Sequence, residues 1–247
     1  MNDNQTNDEA YVASLAASKN PPVLLGVLGS TAYGMATATS DLDRIGVYVA
    51  NTKSVLGLQG ARVVDTTLTT KAPEPDLALH ELGKFVGLAL KCNPTILELL
   101  YVKDYDICTE VGAQLVALRR SFLSERCIRE AFGGYANQQL HKIVRAGSTD
   151  GDGVRNDHRT EKHGRHCFRL LRSGVQLLTT GEIILDVGDD RDEIFAMGEL
   201  AVSNLSEFSN RFLAALAAFD ALDSVVGDTP DFKAAEKFVV KARLAQL

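Results

Sequence analysis

The sequence predicts an α/β chain of the α+β kind: a mixed sheet with helices, followed by a helical domain. Three observations carry this reading. Up to about residue 105, short apolar runs of strand length alternate with segments of helical spacing. From residue 110 the periodic segments all have helical spacing. The chain has 247 residues, 45% of them apolar, enough to bury a core as one large domain or two small ones. The expected division is a domain over 1–105 and a helical domain over 106–247.

Taken in order, residues 8–19 read as a short helix closed by Asn20-Pro21-Pro22. Residues 23–28 form a compact strand-like run, and 29–40 a turn region rich in Gly, Ser and Thr. Residues 41–50 alternate as a strand does, and 61–69 is a further strand candidate before Pro73 and Pro75. Residues 76–80 read as a short strand, 81–91 as a helix, and 96–101 as another, capped by Asn93 or Thr95. Helical spacing then recurs over 110–122, 125–144, 162–180 and 201–222. Residues 147–161 and 186–193 read as polar or acidic loops.

Composition narrows the function classes. No apolar run approaches the ~20 residues of a membrane helix, so no membrane partner is expected. The polar, acidic start lacks the pattern of a signal peptide, which points to the cytoplasm. Cys92, Cys108, Cys127 and Cys167 stand far apart, so reduced thiols are expected rather than a zinc site. A net charge of −6 argues against a broad nucleic-acid surface. Yet residues 140–172 hold four of the five histidines and eight lysines or arginines, which suggests a local anion site.

The chemistry concentrates in residues 28–43. A strand ends in Leu28-Gly29-Ser30; ten residues later comes Asp41-Leu42-Asp43. Nucleotidyl transfer attacks the α-phosphate of a nucleoside triphosphate and releases pyrophosphate, and a pair of divalent ions about 4 Å apart stabilises the attacking and leaving oxygens. Hard cations take carboxylate oxygens. On a strand, residues i and i+2 share a face, so Asp41 and Asp43 would point together and Leu42 into a core on the other side. Gly29 permits close backbone approach to a phosphate, and backbone N–H groups with the Ser30 hydroxyl would hold it. Alone, an Asp-x-Asp pair is common at strand ends and in turns, and Gly-Ser is less informative still. Strand, Gly-Ser, a Gly/Ser/Thr-rich segment and Asp-h-Asp on a new strand are specific in combination.

That combination is the arrangement of the DNA polymerase β superfamily, and GSTAYGMATATSDLDRIGVYVA resembles the opening of its RNA-repair-pathway branch, the RlaP nucleotidyltransferases. Gly29, Ser30, Ala32, Tyr33, Gly34, Ala36, Ser40, Asp41, Asp43, Gly46, Val47 and Val49 stand at matching positions. One position departs: Arg44 stands where the superfamily pattern has a hydrophobic residue, with Ile45 after it. Blocks at 80–102, 132–143 and 162–183 are similar to the same family. The resemblance implies a polymerase β-type fold with Asp41 and Asp43 as metal-binding catalytic carboxylates. It also implies a third carboxylate on a later strand, for which Asp76 is the first candidate and Asp65 the second. Gly29, Ser30 and Tyr33 would contact the nucleotide. The implied cofactor is Mg²⁺, or Mn²⁺ in its place, with ATP or another NTP as substrate.

Lys162, His166, Arg169 and Arg172 recur on one face of the helix expected at 162–180, opposite an apolar stripe of Cys167, Leu170, Leu171, Val175 and Leu178. Such a face is often merely solvated; beside a triphosphate site it would clamp phosphates, with Lys142 as a second clamp. Four hypotheses follow. The first is NMP transfer to an RNA end, in RNA repair or tRNA modification. The second is the same transfer to a protein or small molecule, and the third a non-catalytic nucleotide-binding module. The fourth is a ribonuclease of HEPN type, on Arg159-x-x-x-His163, whose spacing is one residue short of that motif.

Overall fold

The computed structural model describes residues 3–37, 40–58, 66–70, 75–147 and 156–247, with the backbone alone for 3–7 and 146–147. In chain order the elements are α1 (Asp3–Ala16), β1 (Pro22–Leu28), α2 (Gly29–Ala32), β2 (Asp43–Tyr48) and α3 (Thr52–Leu56). They continue with β3 (Thr67–Thr70), β4 (Leu77–Glu81), α4 (Leu82–Ala89), α5 (Pro94–Leu99), β5 (Ile107–Cys108) and α6 (Glu110–Ala117). The rest is helical: α7 (Glu125–Ile128), α8 (Gly134–Gly147), α9 (Asp157–Thr180), α10 (Arg191–Ser203), α11 (Leu205–Asp220) and α12 (Phe232–Leu244). The expected α+β class holds.

The chain forms two compact units. The first takes in Met1–Leu90, Thr95–Phe122 and Asp231–Leu247, the second Lys91–Pro94 and Leu123–Pro230. The line expected at 105/106 falls inside the first unit, because β5 pairs with β1 and α6 follows it directly.

In the first unit the described strands form one mixed sheet, in the order β3-β4-β2-β1-β5. β1 and β2 are antiparallel with Leu28 opposite Asp43, and β2 and β4 are parallel with Arg44 beside Leu77. One apolar cluster joins Leu25, Tyr48, Ala50, Leu77 and Leu79, with Leu15, Val55, Leu68 and Ile107 against it. A Cβ at Gly26 would come within 3.3 Å of Leu99, so β1 and the end of α5 approach closely there. β3 begins at Thr67; residues 61–65 of the strand expected there, including Asp65, lie outside the described residues. Glu81 caps α4 by accepting the Gly83 N–H at 2.7 Å. The last helix also belongs to this unit: Ala235, Phe238 and Ala242 are buried, and Arg243 Nη2 donates to Glu81 Oε1 at 2.9 Å.

The second unit is helical, with α8, α10 and α11 packed on α9. A Cβ at Gly164 would lie 2.9 Å from that of Ala201, so α9 and α10 cross closely. Phe168 meets Phe208 and Phe212 edge-on at 5.8 and 6.3 Å.

Four helical expectations change here. The segment 125–144 is not one helix: a π-helical stretch, Arg129–Gly133, separates α7 from α8. There Arg129 donates to the carbonyls of Phe219 and Leu222 at 2.7 and 2.5 Å, tying α11's end to this stretch. α9 starts five residues before 162, because Asn156 caps it by accepting the Arg159 N–H at 3.0 Å. The segment 201–222 is split by Asn204, which caps α11, and α10 reaches back to Arg191 inside the expected acidic loop. α12 falls outside every segment read as helical.

Candidate active site

The site begins where β1 ends. Leu28 is extended, and Gly29 turns into the left-handed region at φ +70° to open α2. A Cβ at position 29 would collide with the Asp43 carboxylate. Glycine is therefore required twice over, by its dihedral and by the neighbour its Cα touches. The turn closes through Tyr33 N–H to the Gly29 carbonyl at 3.2 Å and Met35 N–H to the Ser30 carbonyl at 2.9 Å. Gly34, at φ +67°, redirects the chain.

Tyr33 points inward. Its hydroxyl donates to Glu98 Oε2 on α5 at 2.6 Å; Tyr33 is 9% and Glu98 0% exposed. The side chain expected to touch the nucleotide thus braces the Gly-Ser turn from inside the first unit. Glu98 was invisible as a site residue; the signal that could have found it is a lone carboxylate inside the apolar run Ile96-Leu97-Glu98-Leu99-Leu100.

Asp43 is the first residue of β2, and Asp41 precedes the strand. Leu42 is 41% exposed, which overturns its expected place in a core. Period-two alternation needs a paired, pleated backbone, and here the ladder starts only at the Leu28–Asp43 pair. Just upstream, Ser40 Oγ accepts the Thr37 N–H at 2.9 Å and the Ser40 N–H returns to the Thr37 carbonyl at 3.1 Å.

Asp76 immediately precedes β4. Its carbonyl accepts the Arg44 N–H at 3.0 Å, and the parallel register sets it beside Asp43. The end of β1 and the starts of β2 and β4 therefore lie at one end of the sheet, bringing Gly29, Ser30, Asp43 and Asp76 together. The carboxylate donors suit a hard divalent cation. Among the described residues, no three His, Cys, Asp or Glu side chains close around a common point.

Arg44 leaves β2 on the opposite side from Asp43. Its side chain is buried; Nη2 donates to Asp8 at 2.6 Å and Nε to Asp106 at 2.9 Å, with the Tyr11 ring 5.9 Å from Cζ. Burial alone would lower its pKa, but the bonds to Asp8 and Asp106 outweigh it and hold the guanidinium above its ordinary value. The departure from the hydrophobic pattern is thus a buried ion-pair hub under the strand that starts with Asp43.

In the second unit, Lys142 on α8 and Lys162 on α9 are exposed. The basic face expected on α9 as a phosphate clamp is partly sunk: Arg169 is 3% exposed, because α9 is covered on several sides. Arg169 Nη2 lies 3.2 Å from His166 Nδ1. Burial, then Arg169, His163, Lys142 and Lys162, push His166 down to about 3. His163 Nδ1 pairs with Gln139 Oε1 at 2.8 Å, and it too is lowered, by burial and then by Lys142, Arg159 and Lys162. Arg172 donates to Asp190 at 2.5 Å and to the Ile184 carbonyl at 2.9 Å. Among the described residues, no helix is long and apolar enough to cross a membrane.

A mixed sheet with a Gly-Ser turn and aspartates gathered at one end has the layout of a nucleotidyltransferase. The chain belongs to the RlaP family, the RNA repair pathway DNA polymerase beta family, which it matches over residues 6–196. Membership places it among the DNA polymerase β-type nucleotidyltransferases, whose chemistry is that of a transferase. Among solved structures, a nucleotidyltransferase-like protein from Exiguobacterium sibiricum 255-15 is similar at 11% identity and a TM-score of 0.30, covering 96% of this chain and 74% of that one. No curated protein matches the chain.

Proposed function

We propose that the chain is a metal-dependent nucleotidyltransferase that moves an NMP from an NTP, ATP or another, to the hydroxyl of an RNA end. The observation that carries this is the contact of Gly29 with the Asp43 carboxylate at the sheet end that also holds Ser30 and Asp76. A triphosphate lying along the Gly29-Ser30 turn would bring its α-phosphate towards those carboxylates. Asp41, Asp43 and Asp76 are the groups that would hold Mg²⁺, or Mn²⁺. Such ions neutralise charge on the attacking and leaving oxygens.

In the reaction the acceptor oxygen attacks the α-phosphorus, the bond to the β-phosphate oxygen breaks, and pyrophosphate leaves. The hydroxyl proton passes to the carboxylate nearest the acceptor, for which Asp76 is the candidate. RNA as acceptor is supported by the family's RNA-repair description.

The test is transfer from α-labelled NTPs in Mg²⁺ to RNA, to protein and to small acceptors. Label on RNA that disappears in Asp43→Asn supports the proposal, whereas label on protein moves the acceptor to another class. No transfer to any acceptor with any NTP sinks the catalytic reading. RNA loss that depends on His163 and persists in Asp43→Asn would identify a nuclease instead.

A further inference from the structure

We propose that Lys84, Thr67 and His80 form a binding site in the first unit for a phosphodiester of the acceptor RNA strand, upstream of the hydroxyl that reacts. The choice of RNA rests on the proposed nucleotidyl transfer. The three side chains come from α4, β3 and β4 and meet at one hydroxyl. Lys84 Nζ donates to Thr67 Oγ1, and His80 Nδ1 lies 3.1 Å from the same oxygen. All three residues are half-buried.

The sheet sets where this cluster stands. Thr67 is opposite His80 in the β3–β4 ladder, and His80 is beside Val47 of β2. Register partners share a face, and so do residues two apart on one strand. Asp43, Ile45 and Val47 therefore face the same way as Ala78, His80 and Thr67, and away from the buried Arg44, Leu77 and Leu79. From Asp43 to Val47 is about 13 Å along the strand, at roughly 3.3 Å per residue. The half-buried Ile45 and Ala78 lie between. One face thus runs from the Asp43 carboxylate, across a short apolar stretch, to an ammonium, a hydroxyl and an imidazole.

The strand order decides which substrate passes there. Displacement at the α-phosphorus sets the attacking and leaving oxygens in line, on opposite sides. The Gly29-Ser30 turn, which would hold the departing pyrophosphate, follows β1 on one side of β2, and β4 and β3 lie on the other. The acceptor therefore comes in over β4 and β3, towards Lys84, Thr67 and His80. These groups suit a phosphate. An ammonium has N–H donors to spare beyond the one given to Thr67, and a neutral imidazole carries an N–H of its own. Burial, then Lys84, lower the His80 pKa, which keeps the ring neutral. Glu81, the carboxylate nearest Lys84 in the chain, is held by Arg243 and the Gly83 N–H. Lys84 makes no ion pair among the described residues. A cross-strand Thr–His pair alone is ordinary in a sheet; this one is set apart by the ammonium brought to it and by its place on the acceptor side.

The experiment measures binding of oligoribonucleotides with a free 3′-hydroxyl to the full chain in Mg²⁺ without NTP, so that no turnover intervenes. A hexanucleotide is compared with a dinucleotide, whose one phosphodiester sits beside the reacting hydroxyl and cannot reach Lys84. Lys84→Gln is expected to weaken the hexanucleotide about tenfold. It should also lower the slope of log K against log salt by about 0.7, the share of one single-strand phosphate. The dinucleotide and inorganic pyrophosphate should bind as they do to the unaltered chain. Thr67→Val should weaken only the hexanucleotide, and Lys84→Arg should keep most of the affinity. Unchanged hexanucleotide affinity in Lys84→Gln overturns the site, as does a chain that binds no hexanucleotide at all. An equal loss for all three ligands also overturns it, because that is what a merely structural Lys84 would give. A chain that binds the hexanucleotide through Lys84 yet transfers no label keeps this site and loses the catalytic reading. One that transfers label to RNA while Lys84→Gln binds normally loses only this site.

Discussion

Because Gly29 holds φ +70° and faces the Asp43 carboxylate, an alanine there meets a conformational obstacle and a steric one. The first costs about 1–2 kcal/mol; the second displaces the carboxylate proposed to hold metal. Gly29→Ala is therefore expected to lower stability only modestly in urea titration while reducing transfer at least 100-fold. Gly188→Ala is the control: φ is +52° and nothing lies within 4 Å of the added methyl, so stability falls by about 1 kcal/mol and transfer is unchanged. Equal activity loss in both would refute the steric account. His166 gives a second test. Its folded value, about 3, lies below its ordinary 6.5, so in that window the unfolded chain binds the extra proton. Stability attributable to this group is complete above pH 6.5 and falls as pH drops, by roughly 1.4 kcal/mol per unit. His166→Gln should flatten urea midpoints between pH 6.5 and 5; an unaltered slope would contradict the burial. At this scale the Gly29-Ser30 turn after β1 and the start of β2 near Asp43 were readable, because both lie within one short stretch of chain. The inward turn of Tyr33 was not, since its partner lies 65 positions away.

β2 shows how an element joins two roles. One residue, Arg44, donates its N–H to Asp76 and its guanidinium to Asp8 and Asp106, on the side away from Asp43. The three charges differ in exposure: Arg44 is 1% exposed at its side chain, Asp8 38% and Asp106 24%. Asp8→Ala/Asp106→Ala strands a buried cation, which typically costs ~3–5 kcal/mol. Arg44→Leu leaves two carboxylates that water can reach and restores the hydrophobic pattern, so about 1 kcal/mol is expected. Urea unfolding of the two variants decides; a larger loss for Arg44→Leu would mean the pair, not the burial, dominates. Strand β2 was legible from its alternation, but its starting residue was not, because pairing with Leu28 sets it. The breaks at Asn204 and at Arg129–Gly133 were missed for a related reason: apolar spacing runs on through a cap or a π-helical stretch.

At the scale of the whole molecule, the first unit depends on a segment beyond the family match, which ends at residue 196. α12 was unreadable because its buried face holds only Ala235, Phe238 and Ala242, while Val240 and Leu244 are exposed and blur the helical period. Its contribution is nevertheless large. Burial of Phe238 is of the kind worth ~3–5 kcal/mol. Removing Arg243 takes the ion pair from Glu81, which keeps its cap of α4 through the Gly83 N–H. Loss of that charge-assisted hydrogen bond costs roughly 1.5–3 kcal/mol, and Thr52 loses the Arg243 carbonyl it bonds at 2.5 Å. Against a typical domain stability of ~5–15 kcal/mol, these losses leave little for the sheet that carries Asp43 and Asp76. A chain ending at Pro230 is therefore expected to lose hydrogen-exchange protection in β1, β2 and β4. Nucleotidyl transfer should disappear with it, although every residue of the Gly-Ser and Asp-x-Asp motifs is retained. Protection in those strands equal to the full chain's would show that α12 is dispensable. Glu81→Gln in the full chain separates the ion pair from the packing: it removes the charge that Arg243 meets but keeps Phe238 buried, so a loss smaller than the truncation's is expected.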